Sequence, residues 1–212
     1  MTNRRESGGS RRLTATDWIE AAYRAIAEGG VAAVAVEPLA QQLGVTKGSF
    51  YWHFPNREAL LQAALERWEQ EETEAAIAAL DEIADPRERL QQLILRALTD
   101  DRAAGDTATP AIAFGHAFHL AVSDAADDPI VQPILRRVSE RRVDYLIDCF
   151  RAAGLASDEA RFRALLAYAA YVGTLRLLRE APDRMPADES AIALRQHFLT
   201  TLMPDEGDGV LG

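Results

Sequence analysis

Residues 39–54, LAQQLGVTKGSFYWHF, hold two short segments with a helical apolar pattern, separated by a glycine. The first segment ends at Leu43, and the second runs from Lys47 to Phe54 after Gly44 has supplied the backbone freedom for a sharp turn. Two short helices joined by a tight glycine-containing turn form a helix-turn-helix, whose second helix can enter the major groove of DNA. The stretch therefore predicts a DNA-binding element and its place in the chain.

The four aromatic rings of this stretch divide between two faces of the second helix. With Thr46 at 0° and a step of about 100° per residue, Phe50 falls at about 40° and Phe54 at about 80°, so both are predicted to be core. Tyr51 at about 140° and Trp52 at about 240° lie away from that face, and we predict that neither packs with Phe50. The alternative is that Trp52 is buried against the first helix of the chain or against the body, residues 58–212, since tryptophan is mostly buried on average.

The outward face carries residue types that contact DNA. Tyr51 and Trp52 can touch thymine methyls or sugar-phosphate, and Lys47 can bond guanine or phosphate. Gly48 lets the helix backbone come close to its target. We predict that Thr46 caps this helix, whose free N–H groups can bind a phosphate oxygen, as can those at the start of the following helix.

Residues 39–65, LAQQLGVTKGSFYWHFPNREALLQAAL, resemble the DNA-binding module of the TetR (tetracycline-repressor) family of transcriptional regulators. The resemblance covers the first third of the chain and departs from the family pattern at Ala35, where a serine or threonine cap is common. For His53, a phosphate hydrogen bond and packing beside Phe54 remain alternatives. The resemblance implies that the residues on or beside the DNA are Thr46, Lys47, Gly48, Ser49, Tyr51, Trp52, His53 and Arg57.

The charge distribution agrees with an N-terminal segment that meets a polyanion. Residues 1–57 carry seven basic and five acidic side chains, a net charge of +2, whereas the other residues carry 16 basic and 28 acidic ones, a net charge of −12. The acidic body is predicted to stay clear of DNA, although random scatter in surface charge is an alternative for so small an excess. We find no apolar run long enough for a membrane helix and no signal sequence, and we predict a cytoplasmic protein without membrane contact.

Helix-forming residues dominate the whole chain and strand patterns are few, which predicts an all-α fold of about nine helices. Thr14 or Thr16 can cap the first helix, which ends at Gly29, and Asn56 can cap a long helix that runs to about Ile83. Further helices are predicted over residues 36–43, 87–100, 110–124, 129–153, 158–180 and 188–203. We divide the chain into an N-terminal tail with a helix-turn-helix domain, residues 1–57, and a helical ligand-binding and dimerisation domain, residues 58–212.

The family resemblance implies a homodimer. The helices predicted over residues 129–153 and 158–180 have apolar residues at helical spacing, and the small residues of AYAAYVG permit close helix approach. We predict that both helices pair with their two-fold mates; internal packing of both is the alternative, because amphipathic stripes look alike in either setting. Cys149 is predicted to be a buried packing residue. The predicted interface residues are Val131, Leu135, Val138, Tyr145, Phe162, Leu165, Ala169, Val172 and Gly173.

The resemblance also implies an effector pocket in the body. The segment FGHAFHL, residues 114–120, is the most polar-aromatic cluster there. His116 and His119 stand three residues apart and could reach one metal ion, but a third ligand with convincing spacing is absent, so we predict neither a metal site nor a cofactor. We expect one of the two histidines to face the pocket and the other to pack or to meet water. The predicted pocket residues are Trp68, Phe114, His116, Phe118, His119 and Tyr171.

These features predict a homodimeric repressor that a small-molecule effector releases from a palindromic operator. Activation of transcription is an alternative outcome of DNA binding, and control by a protein partner is an alternative to a small molecule. A further alternative is a helical ligand-binding protein or enzyme with a vestigial DNA module. We find no nucleophile with a partnered base and no phosphate loop, and we predict that the protein is not an enzyme.

Overall fold

The computed structural model describes residues 13–97, 110–186 and 188–204, without the side chains of residues 110–114 and 188. These residues form helices and the connections between them, which confirms the predicted all-α fold. None of the helices in this part of the chain is both long and apolar enough to cross a membrane. The helices are α1 (Ala15–Gly29), α2 (Val36–Gln42), α3 (Lys47–Phe50), α4 (Arg57–Glu69), α5 (Ala75–Asp81), α6 (Pro86–Ala97), α7 (Pro110–Asp124), α8 (Val131–Ala152), α9 (Ser157–Glu180) and α10 (Asp188–Leu202).

Helices α4 and α5 are one continuous helix, because a π-helical turn, Gln70–Glu74, joins them without a break. Across the described residues there are thus nine separate α-helical units, the number predicted. A π turn holds one residue more than an α turn would, and such turns are frequent at functional sites.

Side chains close two of the helix starts as predicted. Thr14 accepts a hydrogen bond from the Asp17 backbone N–H, and the Asp17 carboxylate accepts one from the Thr14 N–H at 2.7 Å, which forms a capping box at α1. The Asn56 side chain accepts a hydrogen bond from the Ala59 N–H at 2.8 Å at the start of α4. Ala35 gives α2 no side-chain cap, in agreement with the departure from the family pattern at this position.

A first core joins the helix-turn-helix to the body. Trp18 and Phe50 are fully buried, with ring centroids 5.2 Å apart in an edge-to-face arrangement. Tyr23 of α1 stacks on Phe118 of α7 at 4.3 Å, and Trp68 of α4 lies 5.6 Å from the same ring. The packing therefore continues from the helix-turn-helix through α4 into α7 and α8. The predicted two-domain division stays a prediction about function, since one core serves both parts.

A second core lies on the far side of the body and is built by α5, α6, the second half of α8, the start of α9 and the end of α10. Cys149 lies within it and is 2% exposed, which confirms the predicted packing role. Burial raises the pKa of its thiol to about 11, so the thiolate is scarce at neutral pH.

The α8 residues that were predicted at the dimer interface are covered by their own chain. Val131 and Val138 pack into the first core, and Tyr145 donates a hydrogen bond to the Asp81 carboxylate at 2.8 Å. Leu135 is half-buried against the first core. Contact of Val131, Val138 and Tyr145 with a partner is therefore corrected, because intrachain packing already buries these residues, whereas a place for Leu135 in an interface stays a prediction.

The α9 residues of the same prediction are open to solvent. Phe162 is 63% exposed and Leu165 is 47% exposed, while Ala169 is also exposed. Val172 and Gly173 are half-buried. An interface formed by this face of α9 stays a prediction.

Candidate DNA-binding surface and ligand cavity

The recognition segment, residues 47–54, contains a shorter helix than predicted. Helix α3 is a single helical turn, and residues 51–53 continue it as a turn. Gly44 has a φ of 69°, the left-handed conformation that favours glycine, so the predicted sharp turn is confirmed. The predicted cap by the Thr46 side chain is wrong, because Thr46 stands at the N-cap position of α3 but the Ser49 N–H bonds its carbonyl, at 2.9 Å, and not its hydroxyl.

Two rings of the segment anchor it in the first core. Phe50 is fully buried and Phe54 is 8% exposed, with ring centroids 5.8 Å apart, which confirms both as core. The Tyr51 ring meets the Phe50 ring edge-on at 5.2 Å. The prediction that Tyr51 does not pack with Phe50 is wrong, because α3 ends at Phe50 and the next residue departs from ideal helical geometry.

The other two rings face outward. Trp52 is 88% exposed and Tyr51 is 56% exposed, so burial of Trp52 against the body does not occur in this structure. An indole this open adds almost nothing to the packing of its own chain. Exposed aromatic side chains grouped on one surface are typical of a contact site for a partner molecule.

Gly48 lies on the same exposed surface. A methyl group placed at this position would meet only the Thr46 hydroxyl, at 3.7 Å, which is an ordinary contact distance. None of the described residues therefore requires glycine here. The missing side chain leaves room on the outside of the segment.

The cations of this region have partners within the protein. The Lys47 ammonium lies 2.6 Å from the Glu37 carboxylate, and both side chains are exposed. Exposed ion pairs are weak, so Lys47 can exchange this partner for a phosphate. Arg57 donates to the Val34 carbonyl at 2.6 Å and to the Val31 carbonyl at 2.9 Å, which ties the start of α4 to the connection between α1 and α2.

Ser49 and His53 are half-buried beside the exposed rings. Residues 1–12, which hold four of the seven basic residues of the N-terminal segment, lie outside the described residues. The eight predicted DNA contacts thus lie along one short stretch, with Arg57 directed toward the protein.

A cavity of about 490 Å³ lies in the body between the α4–α5 helix, α6, α7, α8 and α9. Two of the predicted pocket residues line it, His116 and Tyr171, and their ring centroids are 5.9 Å apart. Its volume is in the range of cavities that take drug-sized ligands. Its apolar wall includes Ile77, Leu80, Leu93, Ile94 and Leu146.

Three other predicted pocket residues pack behind the wall. Trp68 and Phe118 are fully buried in the first core, and His119 is 2% exposed. The placement of these residues in the pocket is corrected, because aromatic packing against the helix-turn-helix side occupies their rings. The side chain of Phe114 lies outside the described residues.

His119 is a buried histidine whose ring is neutral at physiological pH. Its Nδ1 has no hydrogen-bond partner among the described residues, and its ring lies 5.7 Å from that of Trp68 and 5.4 Å from that of Tyr171. Burial lowers the pKa of His119 to about 3, with smaller contributions from the charges of Arg142 and His116. An apolar environment that disfavours the imidazolium explains the direction.

Sequence reasoning missed the most polar part of the cavity wall. Glu72 and Thr73 line the cavity from the π turn, and Arg142 and Tyr168 line it from α8 and α9. Arg142 donates to the Thr73 hydroxyl at 3.0 Å and to the Glu72 backbone carbonyl at 3.1 Å. The segment QEETE resembles an ordinary solvated helix surface, so no signal in it indicated a cavity wall.

Known proteins are similar to this chain both in sequence and in fold. Residues 19–64 match the model of the bacterial regulatory proteins of the tetR family. The chain is 26% identical over 191 residues, 90% of each chain, to the HTH-type transcriptional regulator BetI of Rhizobium meliloti (strain 1021). It is 36% identical over 83 residues, 39% of this chain and 40% of the other, to the HTH-type transcriptional regulator TtgR of Pseudomonas putida.

Among solved structures, the fold is similar to that of a putative transcriptional regulator from Saccharomonospora viridis crystallised in complex with choline. The TM-score is 0.70 at 23% sequence identity, over 88% of this chain and 93% of the other. The similarity therefore extends beyond the helix-turn-helix to the body. The curated relatives are named transcriptional regulators, not enzymes.

Proposed function

Because the chain belongs to the tetR family of bacterial transcriptional regulators, we propose that it is a repressor that binds a palindromic operator as a homodimer and leaves it when a small molecule fills the body cavity. DNA binding and regulation come with the family. What we propose in addition is that it represses transcription, that its operator is palindromic and that its effector is a small molecule. The observation that carries it is Trp52, 88% exposed beside Lys47 and Gly48 on a segment that Phe50 anchors.

The proposal assigns DNA binding to residues 1–57 and effector binding with dimerisation to residues 58–212. Within the first part, the exposed rings and Lys47 contact bases or backbone in the major groove, and Gly48 lets the segment approach closely. Arg57 acts mainly by holding the start of α4, given its two bonds to backbone carbonyls. The full set of proposed DNA contacts is Thr46, Lys47, Gly48, Ser49, Tyr51, Trp52, His53 and Arg57.

The proposed dimer forms through the exposed face of α9. Phe162, Leu165 and Leu166 are 63%, 47% and 54% exposed, and a contiguous apolar patch on a monomer commonly marks an interface. Binding to a palindromic operator requires that the two-fold axis of this dimer place both recognition segments on one side. Half-sites one helical turn apart require a separation of about 34–36 Å between those segments.

The proposed coupling between cavity and DNA runs through the α4–α5 helix. This helix begins at Arg57, directly after the recognition segment, and its π turn forms part of the cavity wall. A ligand in the cavity that favours one position of the helix also favours one position of the recognition segment. Only a difference in ligand affinity between the two shapes can release the DNA.

The choline complex of the Saccharomonospora viridis regulator supports a small organic molecule as effector for a body of this fold. The volume of the cavity, about 490 Å³, also agrees with such an effector. A regulator controlled by a protein partner would need no cavity of this size with polar groups in its wall.

The test is binding of the full chain to DNA upstream of its own gene, measured over a series of salt concentrations. We expect specific binding, and we expect Trp52→Ala to weaken it by about tenfold or more, since a side chain in the groove contributes about 1–3 kcal/mol. Ile192→Ala is the matched control, because Ile192 is likewise an exposed apolar residue, 57% exposed, but lies on α10 outside the proposed DNA contacts. Binding that is independent of DNA sequence, or equal in the two variants, would contradict the proposal.

A further inference from the structure

We infer that the body cavity binds an amphipathic organic cation, in which an ammonium or similar head pairs with Glu72 and lies against the rings of Tyr168, Tyr171 and His116. An apolar part of the same molecule fills the remainder of the cavity. The inference rests on the proposed function of the cavity as the effector site and adds the chemical class of the ligand.

The carboxylate of Glu72 is the first observation. Glu72 lies on the π turn, lines the cavity and is half-buried, yet no hydrogen bond or ion pair joins its carboxylate to the described residues. A methyl group at Gly115 would lie 2.6 Å from Glu72 Oε2, so the carboxylate occupies the space that this glycine leaves open. Burial raises the pKa of the Glu72 carboxyl, which measures the cost of holding a charge there. A carboxylate in a mostly apolar cavity calls for a cation.

The neighbouring arginine does not neutralise this carboxylate. Arg142 directs its guanidinium to the Thr73 hydroxyl and to the backbone carbonyl of Glu72, and lies 5.4 Å from the centroid of the Trp68 ring. No ion pair within 4.0 Å joins Arg142 to the Glu72 carboxylate, although its charge opposes the effect of burial on the pKa of that carboxyl. Because Arg142 is held by the wall, an anionic ligand would have to displace these contacts or bind instead to Arg96, an exposed residue of α6 that also lines the cavity.

The aromatic wall is the second observation. Tyr171 lies 5.9 Å from His116 and 6.1 Å from Tyr168, measured between ring centroids, and all three residues line the cavity. The Tyr168 hydroxyl donates to the Ser139 hydroxyl at 3.0 Å, which fixes the ring. Burial is the main cause that raises the pKa of Tyr171; the charge of Arg142 and a hydrogen bond with it oppose the rise, and the charge of Glu72 adds a smaller effect, so this ring lies close to both charged side chains. Neutral phenol rings attract organic cations through their faces.

The rest of the cavity determines what the cation must carry. The wall away from Glu72 is formed mostly by apolar side chains of α5, α6 and α8, including Leu80, Ile94 and Leu146, and Arg96 of α6 is its charged member. A metal ion or a bare ammonium ion would leave most of the 490 Å³ unfilled. A hydrocarbon or aromatic portion attached to the head would bury its apolar surface there.

The test uses two probes of equal chain length, octyltrimethylammonium and octanoate, in calorimetric titrations of the full chain. We expect the cation to bind and octanoate not to bind. Glu72→Gln should weaken binding of the cation by about tenfold or more, since charge-assisted contacts are about twice as strong as neutral ones. Glu71→Gln is the matched control, because Glu71 is one residue away, exposed and paired with Arg67 at 2.9 Å outside the cavity wall.

Gly115→Ala changes no charged group, so it tests whether the position of the Glu72 carboxylate matters for binding of the cation. The added methyl group should displace the flexible end of Glu72 and weaken binding of the cation while far-ultraviolet circular dichroism stays unchanged. Without any probe, Glu72→Gln should raise the thermal unfolding temperature slightly, because it removes a half-buried charge that has no ion-pair partner among the described residues. These two readouts distinguish a counter-charge from a residue that only supports the wall.

Several outcomes overturn the inference: binding of octanoate in preference to the cation, equal affinity of Glu72→Gln and the unchanged chain, or no binding of either probe up to about 1 mM. Operator binding measured without ligand separates this inference from the proposed function. If the chain binds its operator but not the cation, only the class of ligand is wrong. If it does not bind DNA, the proposed function itself fails.

Discussion

Replacing Phe50 by alanine tests whether this ring holds the recognition segment to the protein. The ring is fully buried and contacts Trp18 at 5.2 Å and Phe54 at 5.8 Å between centroids. Truncation of a buried phenylalanine to alanine costs about 3–5 kcal/mol, which includes lost burial and the cavity left behind. For a chain of this size the unfolding temperature should fall by about 6–20 °C, at about 2–4 °C per kcal/mol.

Trp52→Ala removes a larger ring than Phe50→Ala does, yet it should lower the free energy of unfolding far less. Because Trp52 is 88% exposed, only about one eighth of its surface is covered by the chain. With about 150–250 Å² per aromatic side chain and about 25 cal/mol per Å², the loss is below about 1 kcal/mol. The two variants should therefore separate folding from DNA binding.

The assay is thermal and urea unfolding of the full chain, followed by far-ultraviolet circular dichroism, with operator binding measured in parallel at a temperature where both variants are folded. We expect Phe50→Ala to lose stability first and Trp52→Ala to lose operator binding with nearly unchanged stability. Equal losses of stability in the two variants would refute the assignment of one ring to the core and the other to the surface.

Three further changes give separate tests. Gly48→Ala should leave the unfolding temperature unchanged or raise it, since the added methyl group has room and alanine favours the helix by about 1 kcal/mol. The same change should weaken operator binding in a gel-shift assay. Unchanged binding would contradict a close approach of this residue to DNA. His119 has a pKa lowered from 6.5 to about 3, so the unfolded chain takes up the proton first and stability should fall as pH drops from about 6.5 toward 3. His119→Phe should reduce that fall in unfolding temperatures measured between pH 7 and pH 4, and an unaltered pH profile would argue against a buried neutral imidazole. Arg57→Ala should lower the free energy of unfolding in urea by about 1–3 kcal/mol, because it leaves the Val31 and Val34 carbonyls without their charged donor. A change near zero would show that these hydrogen bonds do not hold the start of α4.

The recognition segment could be predicted from sequence because its geometry is local. Phe50 and Trp52 stand two residues apart, and the helical step alone separates the buried ring from the exposed one. Val138 could not be assigned in this way, since an apolar stripe has the same spacing whether its own chain or a partner covers it. The structure shows that the first core covers it.

The cavity wall was harder to predict for a related reason. Helical periodicity assumes 3.6 residues per turn, and the π turn at residues 70–74 changes that step, so the direction of the Glu72 side chain could not be read from its spacing. His116 was found because the polar aromatic cluster at residues 114–120 stands out in the sequence of α7. Arg142 and Tyr168 lie on long helices with many similar residues, and only the assembled fold brings them to the cavity.

The unequal exposure of the three tryptophans makes the chain its own optical reporter. Trp18 and Trp68 are fully buried, whereas Trp52 is 88% exposed. A dissolved quencher such as iodide should therefore reach the emission of Trp52 and leave that of the other two nearly untouched. If Trp52 enters the groove of the operator, DNA should shield this emission from iodide, and addition of an effector should restore the quenching. Binding of the protein to its operator and its release from the operator could then be followed by the emission of Trp52, without any added label.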